Sequence, residues 1–286
     1  MGKMSRRVNF GATVAPMGEP HLLVDVADGI ARLTLNRPDK RNALSPEMIV
    51  RLAEAWDQVA DDPAVRVALL TGAGDAAFCS GADLGRLIPL FTGGRPPEDE
   101  WDERLRSEPG LLDRALLRTT SFPVPVVAAA RGYAVAGGME LLLASDLRVV
   151  ANDSELGLTE VSRGILPAGG GLSRLGRQVP WARAAEIVLV GDRIPASEAL
   201  AIGLVNRVVP SAEVLPTAEA FARRMAENGP LALRAAKEVM VTSNGRPLEE
   251  AFAIESRAAG VVMRSDDARE GPLAFMEKRQ PNFTGR

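Results

Sequence analysis

Glu140 stands in the run AVAGGMELLLAS, where nearly every neighbour is apolar or glycine. A helix that is hydrophobic all round is a buried helix, which places this carboxylate in the interior or at a cavity wall. Stripped of hydration, its pKa rises toward values useful for proton transfer. A second reading is open: a first-turn glutamate bonded to backbone amides, its charge stabilised by the helix dipole. Gly137-Gly138, just ahead of the helix, adds weight to the chemical reading. Free N–H groups at a helix start attract anions, and glycine lets a substrate oxygen come close. The same pair also suits a tight strand-to-helix turn. Glu160, in LGLTEVSRGILPAGGG (156–171), is a further acid beside a glycine-rich turn. Taken alone it reads as an exposed loop carboxylate.

Other chemistries find less support. Cys79, the only cysteine, lies in FCSGADL (78–84), a loop that frees more backbone amides. It has no histidine nearby in sequence and reads as a buried thiol. With no second cysteine there is no intrachain disulfide, which suits a reducing, cytoplasmic setting. His21 is the sole histidine, so a His-rich metal site is excluded and a Ser-His-Asp relay would rest on that one residue. GAGD (72–75) and GGG (169–171) match neither a phosphate-binding loop nor a dinucleotide fingerprint. The 34 basic and 37 acidic residues are mixed along the chain, net −3, and offer no stripe for nucleic acid. No apolar run reaches the roughly 18–20 residues that would span a membrane. The opening stretch lacks the apolar core of a secretory signal, and residues 1–20 are expected to form a disordered leader.

The elements that must position these residues follow an α/β alternation. LLVDV (22–26) and IARLTL (30–35) flank Ala27-Asp28-Gly29 as a hairpin. Ser45 and Pro46 open a helix whose stripe is Ile49, Leu52, Ala53, Trp56 and Val59, ended by Asp61-Asp62-Pro63. VRVALLT (65–71) has the length and continuous hydrophobicity of a strand buried on both faces. A glycine-rich loop (72–85) and a mobile loop with a helix (86–120) follow. VPVVAAA (124–130) is a strand, RGYAVAGG (131–138) leads into the helix MELLLAS (139–145), and LRVVA (147–151) returns as a strand. Beyond Ala212 the pattern is helical throughout, over EVLPTAEAFARRMAEN, PLALRAAKEVMVTS, PLEEAFAIESRAAGVVM and SDDAREGPLAFMEKR. These helices pack on a partner subunit or fold back over their own sheet.

Six segments, in order, resemble the enoyl-CoA hydratase/isomerase (crotonase) superfamily: LNRPDKRNALSPEM, AFCSGADL, ARGYAVAGGMEL, SDLRVVANDSELGLTEVSRGILPAGGG, GDRIPASEALAIGLVNRVV and FMEKRQPNF. The resemblance runs from about His21 to the C-terminus. It implies an α/β fold: a crotonase-like spiral of ββα units over 21–211 and a C-terminal helical trimerisation region over 212–286. The implied assembly is a homo-oligomer, a trimer or hexamer.

The resemblance also implies a site. Ala82 and Gly137 match the two amides that hold a thioester oxygen while enolate charge develops on it. Glu140 and Glu160 match the two acids of true hydratases, Glu140 acting mainly on the water and Glu160 mainly on the α-carbon proton. Arg41, Asn42, Ala43 and Leu44 match the loop around the adenine end of coenzyme A. Ala82, Asp83, Leu84 and Gly85 match its pantetheine contacts, and Lys278 is implied to reach a CoA phosphate. No resident cofactor or metal is expected, coenzyme A entering as part of the substrate. The chain departs from the family at Gly85-Arg86, where hydratases often carry a lysine, and the segment 86–120 has no diagnostic pattern. GLTEVSRGILPAGGGLSRL is also similar to carnitinyl-CoA dehydratase-like sequences. The expectation is hydration of a 2-enoyl-CoA. The alternatives are a related dehydratase, a Δ3,Δ2-isomerase, or an acyl-CoA-binding protein without turnover.

Overall fold

The structure, a computed structural model, describes residues 6–7, 19–118 and 122–286. Strand β1 (Arg6–Arg7) pairs antiparallel with β2 (Leu22–Ala27), which forms the expected hairpin with β3 (Ile30–Leu35). The turn residues Asp28 and Gly29 are both left-handed, φ 51° and 78°, as the twist of the flanking strands requires. The remainder of the leader, apart from Glu19 and Pro20, lies outside the described residues. Helix α1 (Pro46–Asp61) starts where the sequence indicates, Ser45 Oγ accepting the Met48 N–H at 3.1 Å.

Three passes of the chain then build the core. Each lays a strand in a large sheet, a short strand in a small sheet, and helix over both. The first is β4 (Val67–Gly72), β5 (Ala77–Cys79), α2 (Leu87–Thr92), α3 (Glu100–Ser107) and α4 (Leu111–Ala115). The second is β6 (Val126–Ala130), β7 (Tyr133–Val135) and α5 (Gly137–Ala144). The third is β8 (Leu147–Ala151), β9 (Glu155–Gly157), α6 (Gly171–Gln178) and α7 (Trp181–Val190). Then come β10 (Ile194–Pro195), α8 (Ala196–Ala201) and β11 (Arg207–Val209). The large sheet runs β1-β2-β3-β4-β6-β8-β11, parallel from β3 onward, and the small sheet runs β10-β9-β7-β5. The spiral of ββα units is therefore present.

The small sheet corrects the sequence reading, which has a loop across 72–85 and gives 131–138 no element of its own. Each stretch contains a strand, Ala77–Cys79 and Tyr133–Val135, paired parallel to one another. Three residues are too few to show a period of two, so only tertiary pairing reveals them.

Both faces of the large sheet are covered, as the continuous apolar strands require. Ala68, Leu70, Val126, Ala128 and Val150 face the main core with α1 and α5. Val67, Leu69, Val127, Ala129, Val149 and Ala151 face α9 (Val214–Ala226) through Val214, Ala218 and Ala222. The chain ends in α10 (Pro230–Ser243), α11 (Leu248–Val262) and α12 (Asp266–Met276). Neither α10 nor α11 buries a residue, and Met240, Leu248, Phe252 and Met263 are exposed. Of the two packings open to these helices, α9 takes the sheet, while α10 and α11 pack mainly on each other.

The segment 86–118 is three short helices rather than a loop and a helix. Asp102 is fully buried, and Arg95 grips both its oxygens while also donating to the Arg86 carbonyl at 2.8 and 3.0 Å. Burial works against the Asp102 charge, but Arg95, the Glu98 amide and Arg86 outweigh it and hold the carboxyl below its usual range. At the far end, buried Trp56 of α1 donates from Nε1 to the Ala115 carbonyl at 3.1 Å and meets Phe122 edge-on at 5.3 Å. Trp56 thus fixes α4 to the core. Trp56→Ala is expected to cost about 3–5 kcal/mol of stability in guanidinium unfolding, through cavity formation and the unpaired carbonyl.

Candidate active site

A cleft of about 220 Å³ opens between the first and second passes of the spiral and the turn after β9. Ala82, Leu84, Gly137, Glu140 and Glu160 line it together, as does Leu44. Residues separated by more than a hundred positions thus meet at one cavity.

The two candidate amides come from different loops. Leu44 bridges to the Ala82 strand end, its N–H donating to Gly81 O at 2.8 Å and its carbonyl accepting from Asp83 N at 2.9 Å. That pairing sets the first loop. The second is set by Ala136, whose φ of 51° and ψ of −126° fall where an L-residue is strained. This backbone turn starts α5 at Gly137, two residues ahead of the expected start. A Cβ added to Gly137 would lie 3.8 Å from the Ala82 nitrogen, and one on Gly81 would lie 3.2 Å from the Gly137 nitrogen. The two N–H groups are neighbours, and among the described residues neither donates to a backbone acceptor.

Glu140, on the first turn of α5, is 4% exposed. Its Oε1 accepts the Gly171 N–H at 2.9 Å. Burial raises its pKa, opposed by the Gly171 and Gly169 amides and by the charges of Arg174 and Arg118. The two sequence readings therefore both contain part of the answer: the carboxyl is buried and amide-bonded, but the amide comes from a distant glycine turn and not from its own helix. GGG (169–171), set aside as a phosphate loop, is that turn. A side chain at Gly169 would come within 2.5 Å of Glu140 Oε2.

Glu160 opens a single 3-10 turn over Glu160–Arg163 and is 6% exposed. Its Oε2 is buried with no hydrogen-bond partner among the described residues. Burial pushes its pKa to about 7; its own backbone amide and Arg163 pull down, and the charge of Glu140 pushes up. Local sequence suggests an exposed loop acid, and the structure overturns this because neighbouring passes of the spiral cover it.

The remaining candidates are less central. Arg41, Asn42, Ala43, Asp83 and Gly85 lie outside the lining. Arg41 and Asn42 are both left-handed, and buried Asn42 pins their loop by donating to Ala73 O and Ala77 O at 2.9 and 2.8 Å. Asp83 is paired with Arg37 at 3.0 Å. Lys278 sits exposed just past α12 and does not line the cleft. The structure adds lining residues that the sequence does not single out: Ser80, Leu87, Ile88, Phe91, Leu112 and Leu116, with Arg163, Ile165 and Leu166. For those within 86–118, apolar residues at helical spacing are the one clue a sequence reading could use.

Cys79 is buried and its thiol is pushed up to about 12 by desolvation, so it stays protonated. His21 Nδ1 lies 2.8 Å from Ser45 Oγ and 3.2 Å from Glu47. One ring nitrogen meets both partners, and Ser45 is occupied as the α1 cap, so this cluster is no relay. Among the described residues no acidic, cysteine or histidine side chains group as a metal site, and no helix is long and apolar enough to cross a membrane.

Fold and site together define a protein of the spiral α/β class with two carboxyls and two free amides at one cleft. The sequence profile of the enoyl-CoA hydratase/isomerase family matches residues 25–286, and the chain belongs to that family. It is 39% identical over 267 residues to the enoyl-CoA hydratase EchA19 of Mycobacterium tuberculosis, covering 93% of this chain and 97% of that one. It is 39% identical over 263 residues to the carnitinyl-CoA dehydratase of Escherichia coli, covering 90% and 95%. A solved structure described as a putative enoyl-CoA hydratase/isomerase from Mycobacterium abscessus superimposes with a TM-score of 0.82 at 41% identity, covering 93% of this chain and 100% of that one.

A Cβ on Gly138 would sit 2.1 Å from the Cys79 carbonyl oxygen, a backbone atom that cannot move away freely. Gly138→Ala is expected to lose at least about 3 kcal/mol in guanidinium unfolding. Burial in the folded protein lifts the Glu160 pKa to about 7, from the ordinary glutamate value of 4.5. Its contribution to stability is thus fully present below about pH 4.5 and is lost as pH rises through 7. Glu160→Gln should therefore stabilise the protein by on the order of 2 kcal/mol more at pH 8 than at pH 5, measured by unfolding at both.

Proposed function

We propose that this protein hydrates 2-enoyl-CoA to 3-hydroxyacyl-CoA. The observation that carries the proposal is the meeting of Glu140, Glu160, Ala82 and Gly137 at one cleft. The thioester oxygen sits between the Ala82 and Gly137 N–H groups. Their attraction grows as negative charge moves onto that oxygen, and one such donor is worth about 10²–10³ in rate. The Gly137 N–H gains from the α5 dipole.

Two carboxyls of similar type need different charge states to act as base and acid, and their surroundings differ accordingly. Glu140 has amide donors and two nearby arginines that support its anion. Glu160 has an oxygen unpartnered among the described residues and a pKa of about 7, which keeps a large protonated fraction at neutral pH. Glu140 takes a proton from water as the oxygen bonds to C3. The C2–C3 π electrons move toward the thioester as an enolate, and Glu160 delivers its proton to C2. The sum is one water added; exchange with solvent resets both acids. No resident cofactor enters this scheme, because coenzyme A arrives with the substrate. In the same reading the 41–44 loop takes the adenine end, 82–85 the pantetheine arm, and Lys278 a CoA phosphate.

The reverse reaction, dehydration of a 3-hydroxyacyl-CoA, uses the same groups. The 39% identity to a carnitinyl-CoA dehydratase favours it as the second reading. The exposed apolar residues of α10 and α11 fit contacts between copies in a trimer or hexamer.

Loss of the enoyl-thioester absorbance with crotonyl-CoA and longer homologues tests the reading. Glu140→Gln and Glu160→Gln are each expected to lower kcat by about 10²–10⁴. Tight acyl-CoA binding without turnover at any chain length would refute hydration, and isomerisation of a 3-enoyl-CoA that survives Glu140→Gln would replace it. The wild-type kcat/KM should be bell-shaped in pH, with an acid limb above the ordinary glutamate value from Glu140 and a basic limb near 7 from Glu160.

A further inference from the structure

Arg174, on α6, does not line the cleft, yet it touches the two segments that carry the Glu140 amide and the cleft wall at Leu116. Its Nη1 lies 3.4 Å from the Gly169 carbonyl and 3.4 Å from the Leu116 carbonyl, and its Nη2 donates to the Leu117 carbonyl. Gly169 belongs to the turn whose Gly171 amide holds Glu140. Leu116 lines the cleft, and Leu117 is left-handed at φ 48°, a conformation that a branched side chain keeps only when its surroundings impose it. A side chain on Gly170 would come within 2.6 Å of Arg174 Nη1, so the guanidinium fills the space that glycine leaves. A planar fork of donors suits three carbonyls from two segments; a lysine ammonium does not reproduce it.

We propose that Arg174 is a positioning residue that clamps the Gly169–Gly171 turn to the end of α4 and sets its guanidinium charge close to the Glu140 carboxyl. The proposal rests on Glu140 acting as base. Other charges face the same group: Arg118, itself paired with Asp113 at 3.0 Å, and Glu160 with Arg163 beside it. Arg118 also acts on Arg174, and Arg174 in turn acts on Arg148 and Lys237, near which Asp146 supplies the opposing charge. Burial lowers the Arg174 pKa and the Glu140 charge opposes that effect, a mutual dependence between the two groups.

Full-length wild type, R174Q and R174K decide it. The readouts are the pH dependence of enoyl-CoA hydration, the Glu140 titration by carboxyl carbon-13 NMR assigned through E140Q, and thermal unfolding. In R174Q the acid limb and the NMR titration should both move up by about one pH unit, the scale on which a neighbouring opposite charge acts. On the acid limb kcat should fall by up to about tenfold while KM stays within about twofold. R174K retains the charge without the fork, so its limb should stay near wild type while kcat falls about tenfold. Unmoved limb and titration in R174Q overturn the proposal, even if the variant is less stable. Full kcat in R174K overturns the clamp, and serves as the test if R174Q does not fold. Absence of hydration by wild type refutes the proposed activity instead, and the NMR titration then still decides whether Arg174 governs Glu140.

Discussion

The Gly171 N–H reaches Glu140 Oε1 at 2.9 Å across thirty-one positions of sequence. This one hydrogen bond joins the second pass of the spiral to the third. A carboxyl almost wholly removed from water is costly as an anion unless donors meet it, and here the donors belong to a turn kept free of side chains. The arrangement makes heavy demands on the fold. The parallel strands β4, β6 and β8 must stack in register so that α5 and the start of α6 approach one another. Their continuous apolar runs, buried from above and below, supply the energy for that stacking.

Against this shared frame the two carboxyls diverge. Glu140 is held by amides from outside its own helix, whereas Glu160 keeps an oxygen with no partner among the described residues. Each carboxylate also disfavours charge on the other. Environment rather than residue type separates their titrations, and the separation gives the proposed addition of water a direction for its protons.

Much of this was readable in the residues themselves. The hairpin, the Ser45 cap, the twice-buried strands and the apolar surroundings of Glu140 are local patterns, and each emerged as local physics dictates. The family segments carry the spiral and single out the two glutamates and two amides that the structure brings to one cleft. What stayed hidden is non-local. Two three-residue strands show no period, Glu160 is buried by chain far from it, and Gly171 and Arg174 gain their meaning only when α6 docks. The wall formed by 86–118 escaped for another reason. Its helices are short, and charged residues that suggest solvent turn inward, Asp102 on α3 and Arg95 in the connection before it. The backbone of Thr119 and Thr120, part of the same sequence segment, lies outside the described residues.

The crowding around Gly138 and Gly169 has an evolutionary corollary. Any added carbon at these points meets backbone or the Glu140 carboxyl within 2.5 Å, so natural variation is barred from remodelling the amide frame through side chains. The helices α2 to α4 have no such restriction. They are secured by an internal ion cluster at one end and by Trp56 at the other, with Leu87, Ile88, Phe91 and Leu112 facing the cavity between. New specificities would therefore arise by exchanging this cassette, much as one changes a die while keeping the press.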